Sequence, residues 1–425
     1  IDISTQLPYE PTHVAEVTVI PRGETLSAKN VLLKAGTIKL SDVVVAKENV
    51  TLLADNNIAL SQGVIQAGNS VAMTAINNID LWQSNVNAQD ITLLSRNGPV
   101  YSVTSAGPHF FNSDGSRWFS SLYARGDLTI QAGQDVLLLD SVLADGKNIT
   151  INAGTGLKVW RSNGLLNYTK IDPGSQAAVQ QRYNDALNAP GNLGASGSIT
   201  LSSNGFLDMR GARVTAGQDV SIVSGNSLDL NPRDTPPYAS LFPESQTPVR
   251  GSRITAGRNI LLHAARDIGL QGATVYAGKN LDILTGNLWL AAVEYTHSAF
   301  GENDLDIRHL TTLLRAEGAM SLVANRNIAA FGTDFSSGGN MYIAANGPLT
   351  FEAVKNRTQH SGDGNYSESV TQQSSVLNSG GLLTLLSNGS ILFQGTRLLA
   401  KGTLDVAAKG GYLYAQAVEE FNHYE

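Results

Sequence analysis

One short phrase recurs along this chain: Gly, any residue, Asn or Asp, and then an aliphatic residue, as at 217–220 (Gly-Gln-Asp-Val) and 278–281 (Gly-Lys-Asn-Leu). The apolar residue that ends the phrase, or a looser copy of it, marks fourteen positions: Val31, Val50, Val71, Ile91, Leu128, Ile149, Ile199, Val220, Ile260, Leu281, Met320, Met341, Leu383 and Leu404. Eight of the thirteen intervals between neighbouring marks are 19–21 residues long, and the other five are 37–50 residues long. A period of about 20–21 residues, typical of a repeat array, therefore constrains any fold of this chain.

Apolar and polar residues alternate after each mark, as in Ile199-Thr200-Leu201. A polar turn follows, and then a second alternating run such as Leu228-Asp229-Leu230. Alternation with period 2 predicts strands with one buried face, and so short a unit leaves no room for a helix.

Such a unit buries its aliphatic face only by stacking on its neighbours. We therefore predict an all-β fold, a parallel β-helix with about 20–21 residues per coil and insertions outside the coils. A leucine-rich repeat would need a longer consensus, and a β-sandwich would not keep so constant a register.

A second, longer period appears in the 197–425 segment, where equivalent marks recur about every 60 residues. Each of these longer units contains two marked coils and an insertion. The insertions are Asn231–Ser252, Ala292–Arg315 and Ala353–Asn378. The second and third open alike, with Ala-Val, and a further Ala-Val pair stands at 417–418. Because the insertions share one phase, we expect them on one side of the solenoid, aligned as a ridge.

The first half of the chain is less regular. We divide it into β-helix coils at 1–100, an aromatic-rich insertion at 101–123, coils at 124–154 and an insertion at 155–196. The last of these contains a predicted helix at about 175–188, with an apolar stripe at every fourth residue.

Aromatic side chains are common at the centres of binding surfaces. The candidate receptor-contact residues in the first insertion are His109, Phe110, Phe111, Trp118, Phe119 and Tyr123. Alternatively, these rings fold down onto the flank of the solenoid.

Composition excludes several classes of protein. The chain has no Cys, which rules out disulfide scaffolds and thiolate zinc sites. Its 29 basic and 36 acidic residues include no basic block, so we expect no nucleic-acid partner. No apolar run approaches the roughly 18 residues of a transmembrane segment. Because the first residues, Ile1-Asp2-Ile3, are neither an initiator Met nor a signal peptide, we expect a piece of a larger protein.

Parallel β-helices also include enzymes that act on polysaccharides, so we considered catalytic carboxylates. The best cluster is Glu302, Asp304 and Asp306, beside Arg308 and His309. Two carboxylates could act there as general acid and base, but a solvated polar loop fits the same residues. The cluster keeps a polysaccharide-acting enzyme as the weakest of the functional alternatives, and we predict no catalytic residue.

Three histidines recur in phase within the insertions, at His297, His360 and His423. If they formed a column, they could bind a metal or sense pH, or they could be an exposed polar column without a role. The seven His of the chain show no metal-binding spacing. We therefore predict neither a metal site nor a cofactor.

The Ala-Gly-x-Asn/Asp-apolar turns, such as residues 216–220 and 277–281, resemble the haemagglutinin repeats of the filamentous haemagglutinin family. The longer units are similar to those of two-partner secretion exoproteins, including the toxin carriers of contact-dependent growth inhibition. This resemblance covers nearly the whole chain except the two early insertions, and residues 374–425 are most similar to the family's long repeat.

The resemblance implies a right-handed β-helix that is exported by an outer-membrane transporter and displayed at the bacterial cell surface. It implies that the chain is not an enzyme. It implies instead a role in adhesion, or in presenting a C-terminal toxin, to a bacterial or host cell that bears a receptor. We recognise neither the family's secretion domain nor a toxin module, so an internal rod segment is expected. A receptor-binding module that uses the insertions is the alternative.

Overall fold

A computed structural model describes residues 16–19, 25–41, 43–103, 120–139, 142–160, 193–232, 251–296, 305–362 and 365–424. Every regular element in these ranges is a β-strand, as the alternation predicts. The helix predicted at 175–188 lies outside the described residues.

The chain divides into two compact units. Unit 1 comprises residues 1–207 and 213–217, and unit 2 comprises residues 208–212 and 218–425. Within each unit, consecutive short strands turn through a coil and then pair in parallel with the equivalent strands of the next coil. Each unit therefore contains three stacks of parallel strands, which we call the first, second and third stacks in the order the chain visits them.

Near the start of unit 1, the long strands Thr25–Ala35 and Val43–Ala54 each run through both the second and the third stack. The first stack contains Glu16–Val19, Thr37–Leu40, Ile58–Ser61, Ile79–Trp82, Val100–Val103, Val136–Leu139 and Leu157–Trp160. The second contains Val64–Ala67, Asn85–Ala88, Ser121–Ala124, Val142–Gly146, Leu193–Ala195 and Arg213–Ala216. The third contains Ser70–Ala75, Asp90–Ser95, Asp127–Ala132, Asn148–Ala153 and Ile199–Ser203.

Strand Leu207–Arg210 spans the division between the units. The first stack of unit 2 contains Ser227–Asn231, Asp267–Gln271, Asn287–Ala291, Ile328–Phe331, Leu349–Glu352, Ile391–Gln394 and Leu413–Gln416. The second contains Arg253–Ala256, Thr274–Ala277, Thr312–Ala316, Thr333–Ser337, Ser375–Ser379 and Thr396–Ala400. The third contains Val220–Ser224, Ile260–Ala264, Leu281–Thr285, Met320–Ala324, Met341–Ala345, Leu383–Ser387 and Leu404–Ala408.

The residues that mark the period occupy one position in each third stack. In unit 2, Val220 pairs with Ile260 and Ile260 with Leu281. The same register continues through Met320 and beyond. Ile260 is 1% exposed, and the residues two positions on in these strands are buried as well. The parallel β-helix predicted from the period is therefore confirmed.

The recurring phrase also explains how successive coils stay in register. In unit 2 the backbone N–H of Asn259 donates to Oδ1 of Asp219 at 3.0 Å, and that of Asn280 donates to Oδ1 of Asn259 at 3.3 Å. The preceding Gly is needed because a Cβ at Gly278 would lie 2.3 Å from the carbonyl oxygen of Gly257. The polar residue links each turn to the next coil, and the glycine lets two backbones approach closely.

Candidate interaction surface

The insertions of unit 2 leave the coil at the corner between the first and second stacks. Where the chain turns this corner directly, Gly272, Gly332 and Gly395 have φ of +55° to +56°. A Cβ built on Gly332 would lie 2.6 Å from a methyl group of Val354. One built on Gly395 would lie 2.6 Å from Val418. The valines of the Ala-Val pairs therefore pack over the glycine corner of the preceding coil.

A buried hydroxyl closes the base of each of these insertions. Thr312 Oγ1 donates to the carbonyl of Ala291 at 2.6 Å, and Ser375 Oγ donates to the carbonyl of Glu352 at 2.8 Å. In both cases the chain leaves the coil after the acceptor and returns at the donor. We call these hydroxyls the base clasps, because each one joins the two ends of an insertion.

The second and third insertions of unit 2 do not form separate loops. They pair into one antiparallel sheet, which we call the ridge sheet, with a strand from the end of the unit. Its strands in spatial order are Val293–Thr296, Leu305–Leu310, Val354–Gly362, Asn365–Gln373 and Phe421–Tyr424. Ile307 pairs with Arg357, and Val370 pairs with Phe421. Successive repeats are therefore linked by pairing outside the coils as well as within them.

One ion pair on the ridge sheet involves a residue of the predicted acidic cluster. Asp306 is 6% exposed, and its Oδ2 lies 2.8 Å from Nη2 of Arg308. Thr358 Oγ1 also donates to Asp306, at 3.4 Å. The hydrogen bonds that Arg308 donates to Asp306 raise the pKa of Arg308. The Asp306 carboxylate thus pairs with Arg308 on its own strand and accepts one hydrogen bond from the neighbouring strand Val354–Gly362. Glu302 and Asp304 lie outside the described residues.

A second polar network joins three of the ridge strands. Arg357 Nε donates to Glu368 Oε1 at 2.7 Å, and the Tyr366 hydroxyl donates to Oε2 at 2.9 Å. The hydrogen bond from Tyr366, followed by that from Arg357, lowers the pKa of Glu368. The Tyr366 ring lies 6.0 Å from that of His423, measured between centroids.

The described histidines of the recurring series do not form a column. Glu368 pairs with His423, whereas His360 pairs with Ser367, which is one position away. Adjacent positions of a strand point to opposite faces, so His360 and His423 face opposite sides of the ridge sheet. His297 lies outside the described residues.

Most of the predicted receptor-contact residues cannot be placed. Residues 109–111, 118 and 119 lie outside the described part of the chain. Tyr123 lies in the second stack of unit 1, between Asn87 and Ala144, and is 36% exposed. Strands Val100–Val103 and Ser121–Ala124 border this insertion, and the hydroxyl of Ser120 donates to the carbonyl of Val103 at 2.8 Å. The contact assignment stays a prediction.

Among the described residues, no three His, Asp or Glu side chains cluster in a way that could hold a metal ion. No described segment is a helix of the length and apolarity that a membrane span requires.

Comparison with known proteins relates the chain to one group. Residues 243–304 and 293–370 match the family described as Hemagglutinin repeat. The chain is 25% identical to a tRNA nuclease CdiA of Escherichia coli strain STEC_O31 over 59% of its length, and 28% identical to a Toxin CdiA of Escherichia coli over 42%. A tRNA nuclease CdiA of Yersinia mollaretii is 21% identical over 59% of the chain.

The matched region spans only 7%, 5% and 7% of these three relatives, respectively. No solved structure matches the chain.

Proposed function

Because this chain is a member of the filamentous haemagglutinin-type exoproteins, we propose that it is a non-enzymatic β-helical segment that spaces and presents contact surfaces on a bacterial cell. The observation that supports this most is the in-phase packing of haemagglutinin repeats. Marked residues of successive coils lie in register, and the repeats of unit 2 contribute strands to one ridge sheet.

The mechanism that follows is mechanical. Each coil advances the chain by one strand spacing, about 4.8 Å. The aliphatic side chains stacked inside each unit provide cohesion, at about 1.5–3 kcal/mol for each one fully buried before entropy costs. The insertions leave at a fixed corner, so their surfaces are held at defined positions relative to the coils.

We further propose export by an outer-membrane transporter of the two-partner type and display at the cell surface. The similarity to CdiA proteins supports this proposal. The absence of Cys fits such a route, since a disulfide would obstruct passage of an unfolded chain. Adhesion to a receptor on another bacterium or a host cell, or delivery of a toxin carried elsewhere in the protein, would be the outcome.

Cell binding tests whether the segment is a spacer or a recognition module. The labelled chain is titrated onto bacterial and epithelial cells by flow cytometry, beside a variant in which short Gly-Ser linkers replace 104–119 and 161–192. These limits keep the bordering strands Val100–Val103, Ser121–Ala124, Leu157–Trp160 and Leu193–Ala195. A spacer predicts no saturable binding by either folded protein. Saturable binding that disappears in the variant would replace this proposal with a receptor-binding module.

The enzyme alternative is tested separately. Release of reducing sugar from bacterial and plant glycans is measured for the native chain and for Asp306→Asn. Turnover by the native chain that this substitution abolishes would refute a purely structural role. We expect no turnover by either protein. Because Asp306 forms an ion pair with Arg308, we expect Asp306→Asn to lower the stability of the chain.

A further inference from the structure

The outer surface of the first stack in unit 2 carries an aromatic pair, of which Trp289 is exposed and Phe331 half-buried. Trp289 is 49% exposed, and its ring centroid lies 4.8 Å from that of Phe331, with the two planes tilted by 41°. Trp289 is in register with Gly269 on one side and Ala329 on the other. Neither neighbour is large enough to cover the indole ring, which explains its exposure.

Carboxylates lie on both sides of this aromatic pair. Asp229 pairs with Gly269, and a Cβ built on Gly269 would lie 2.9 Å from Oδ1 of Asp229. The Asp229 carboxylate therefore extends over the glycine, about one strand spacing of 4.8 Å from Trp289. On the other side, Glu352 is in register with Phe331.

The strands of this surface carry acidic but no basic side chains. None of the seven first-stack strands of unit 2 contains Lys or Arg. Arg210, on a neighbouring strand, donates from Nε to Asp208 at 3.0 Å. Burial, and then the Asp208 carboxylate, raise the pKa of Asp229. The contribution of Asp208 means that the two carboxylates repel each other, and a cation placed beside them would offset this repulsion.

We propose that Trp289 and Asp229 bind the guanidinium group of an arginine side chain on a partner protein, with Phe331 packed against the indole and Glu352 adding negative charge on the far side of the aromatic pair. An aromatic face attracts a cation through its quadrupole. Guanidinium is planar, so it stacks on indole while its N–H groups donate to a carboxylate. An ammonium group cannot stack in this way, and an uncharged ligand would gain nothing from the carboxylates' charge. This inference does not depend on the proposed role as a spacer.

Isothermal titration of the full chain with tetra-arginine, tetra-lysine and tetra-citrulline peptides at low salt tests the proposal. Citrulline keeps the shape of arginine without its charge. We expect tetra-arginine to bind most tightly and tetra-citrulline not to bind measurably. Trp289→Ala should weaken tetra-arginine binding about two- to fivefold, the range for an exposed cation–aromatic contact. Trp289→Tyr should restore part of it, and Asp229→Asn should weaken it as well.

Trp82→Ala is the matched control, because Trp82 is 46% exposed in the first stack of unit 1 and the residues in register with it, Ser61, Val103 and then Leu139, include no carboxylate like Asp229 beyond Gly269. It should leave the affinity for tetra-arginine unchanged. Thermal unfolding checks that each variant is folded. Equal affinity in folded Trp289→Ala, or an equal loss in Trp82→Ala, would overturn the proposal. Tetra-citrulline binding as tightly as tetra-arginine would also overturn it. So would a result in which Trp289→Ala weakens the binding of uncharged oligosaccharides but not that of tetra-arginine.

Discussion

Substitution of Gly332 by Ala tests how the ridge sheet is fixed to the coils. The glycine has a φ of +56°, and a left-handed conformation costs a residue with a Cβ about 1–2 kcal/mol. The new Cβ would also lie 2.6 Å from Cγ2 of Val354 and 3.1 Å from Cβ of Ala292. Overpacking of this kind typically costs about 1–3 kcal/mol. We therefore expect a total loss of about 2–5 kcal/mol in the free energy of unfolding.

A double-mutant cycle separates the two contributions. Val354→Ala removes the methyl group that the new Cβ would meet, so the double variant should recover about 1–3 kcal/mol relative to the sum of the single changes. The assay is urea unfolding followed by circular dichroism. Hydrogen exchange of the amides in Val354–Gly362 and Asn365–Gln373 reports whether the hairpin has loosened.

Gln62 provides the matched control, because it occupies the same kind of corner in unit 1 with φ of +58° and already has a Cβ. Gln62→Ala should change the free energy of unfolding by about 0.5 kcal/mol or less. If Gly332→Ala were as mild as Gln62→Ala, or if Val354→Ala recovered nothing, the valine would not lock the insertion to the corner.

Four further predictions concern the buried core, a base clasp, a half-buried carboxylate and the long period. Ile260→Asp places an unpaired charge in the buried third stack of unit 2 and should cause local or global unfolding, seen as a large drop in melting temperature; an unchanged value would mean that Ile260 does not point inward. Ser375→Ala removes a base clasp that also accepts the N–H of Thr333 at 3.2 Å, so it should cost about 1–3 kcal/mol in urea unfolding, whereas the outward-facing Ser336→Ala should cost little. Burial raises the pKa of Asp334, so the contribution of this residue to stability is fully present below its unfolded pKa and is lost as pH rises through its folded pKa. Asp334→Asn should therefore be more stable than the native chain at pH 7. The difference in stability should shrink toward pH 3. Deleting 281–340, one long period, should leave a folded β-helix by circular dichroism because Met341 replaces Leu281 in register, whereas deleting 281–330 should not; equal folding of both would refute the phase argument.

The coils could be predicted from the sequence because their signal repeats. Every turn of the chain places an aliphatic residue such as Ile260 or Leu281 at the same phase, and the register of the third stack follows those marks. The phase of the insertions was equally visible in the Ala-Val pairs at 292–293 and 353–354.

The pairing of the insertions could not be derived from their phase. Antiparallel partners such as Ile307 and Arg357 belong to different repeats. Leu305–Leu310 alternates between apolar and polar residues only over its first four positions, and Val354–Gly362 does not alternate. The aromatic and carboxylate site was missed for a similar reason. Trp289 and Asp229 lie close together because their strands both pair with the strand that contains Gly269. The order of residues along the chain does not show which side chains meet across strands.

The ridge sheet changes how a repeat array of this kind should come apart. A solenoid held only by contacts between neighbouring coils can fray one coil at a time. In unit 2, however, strand Val354–Gly362 pairs with Leu305–Leu310 of the preceding repeat, and Asn365–Gln373 pairs with Phe421–Tyr424 of the following one. Releasing a single coil would therefore also disrupt hairpins in the adjoining repeats. The cooperative unit of unfolding becomes a whole long repeat rather than a single coil.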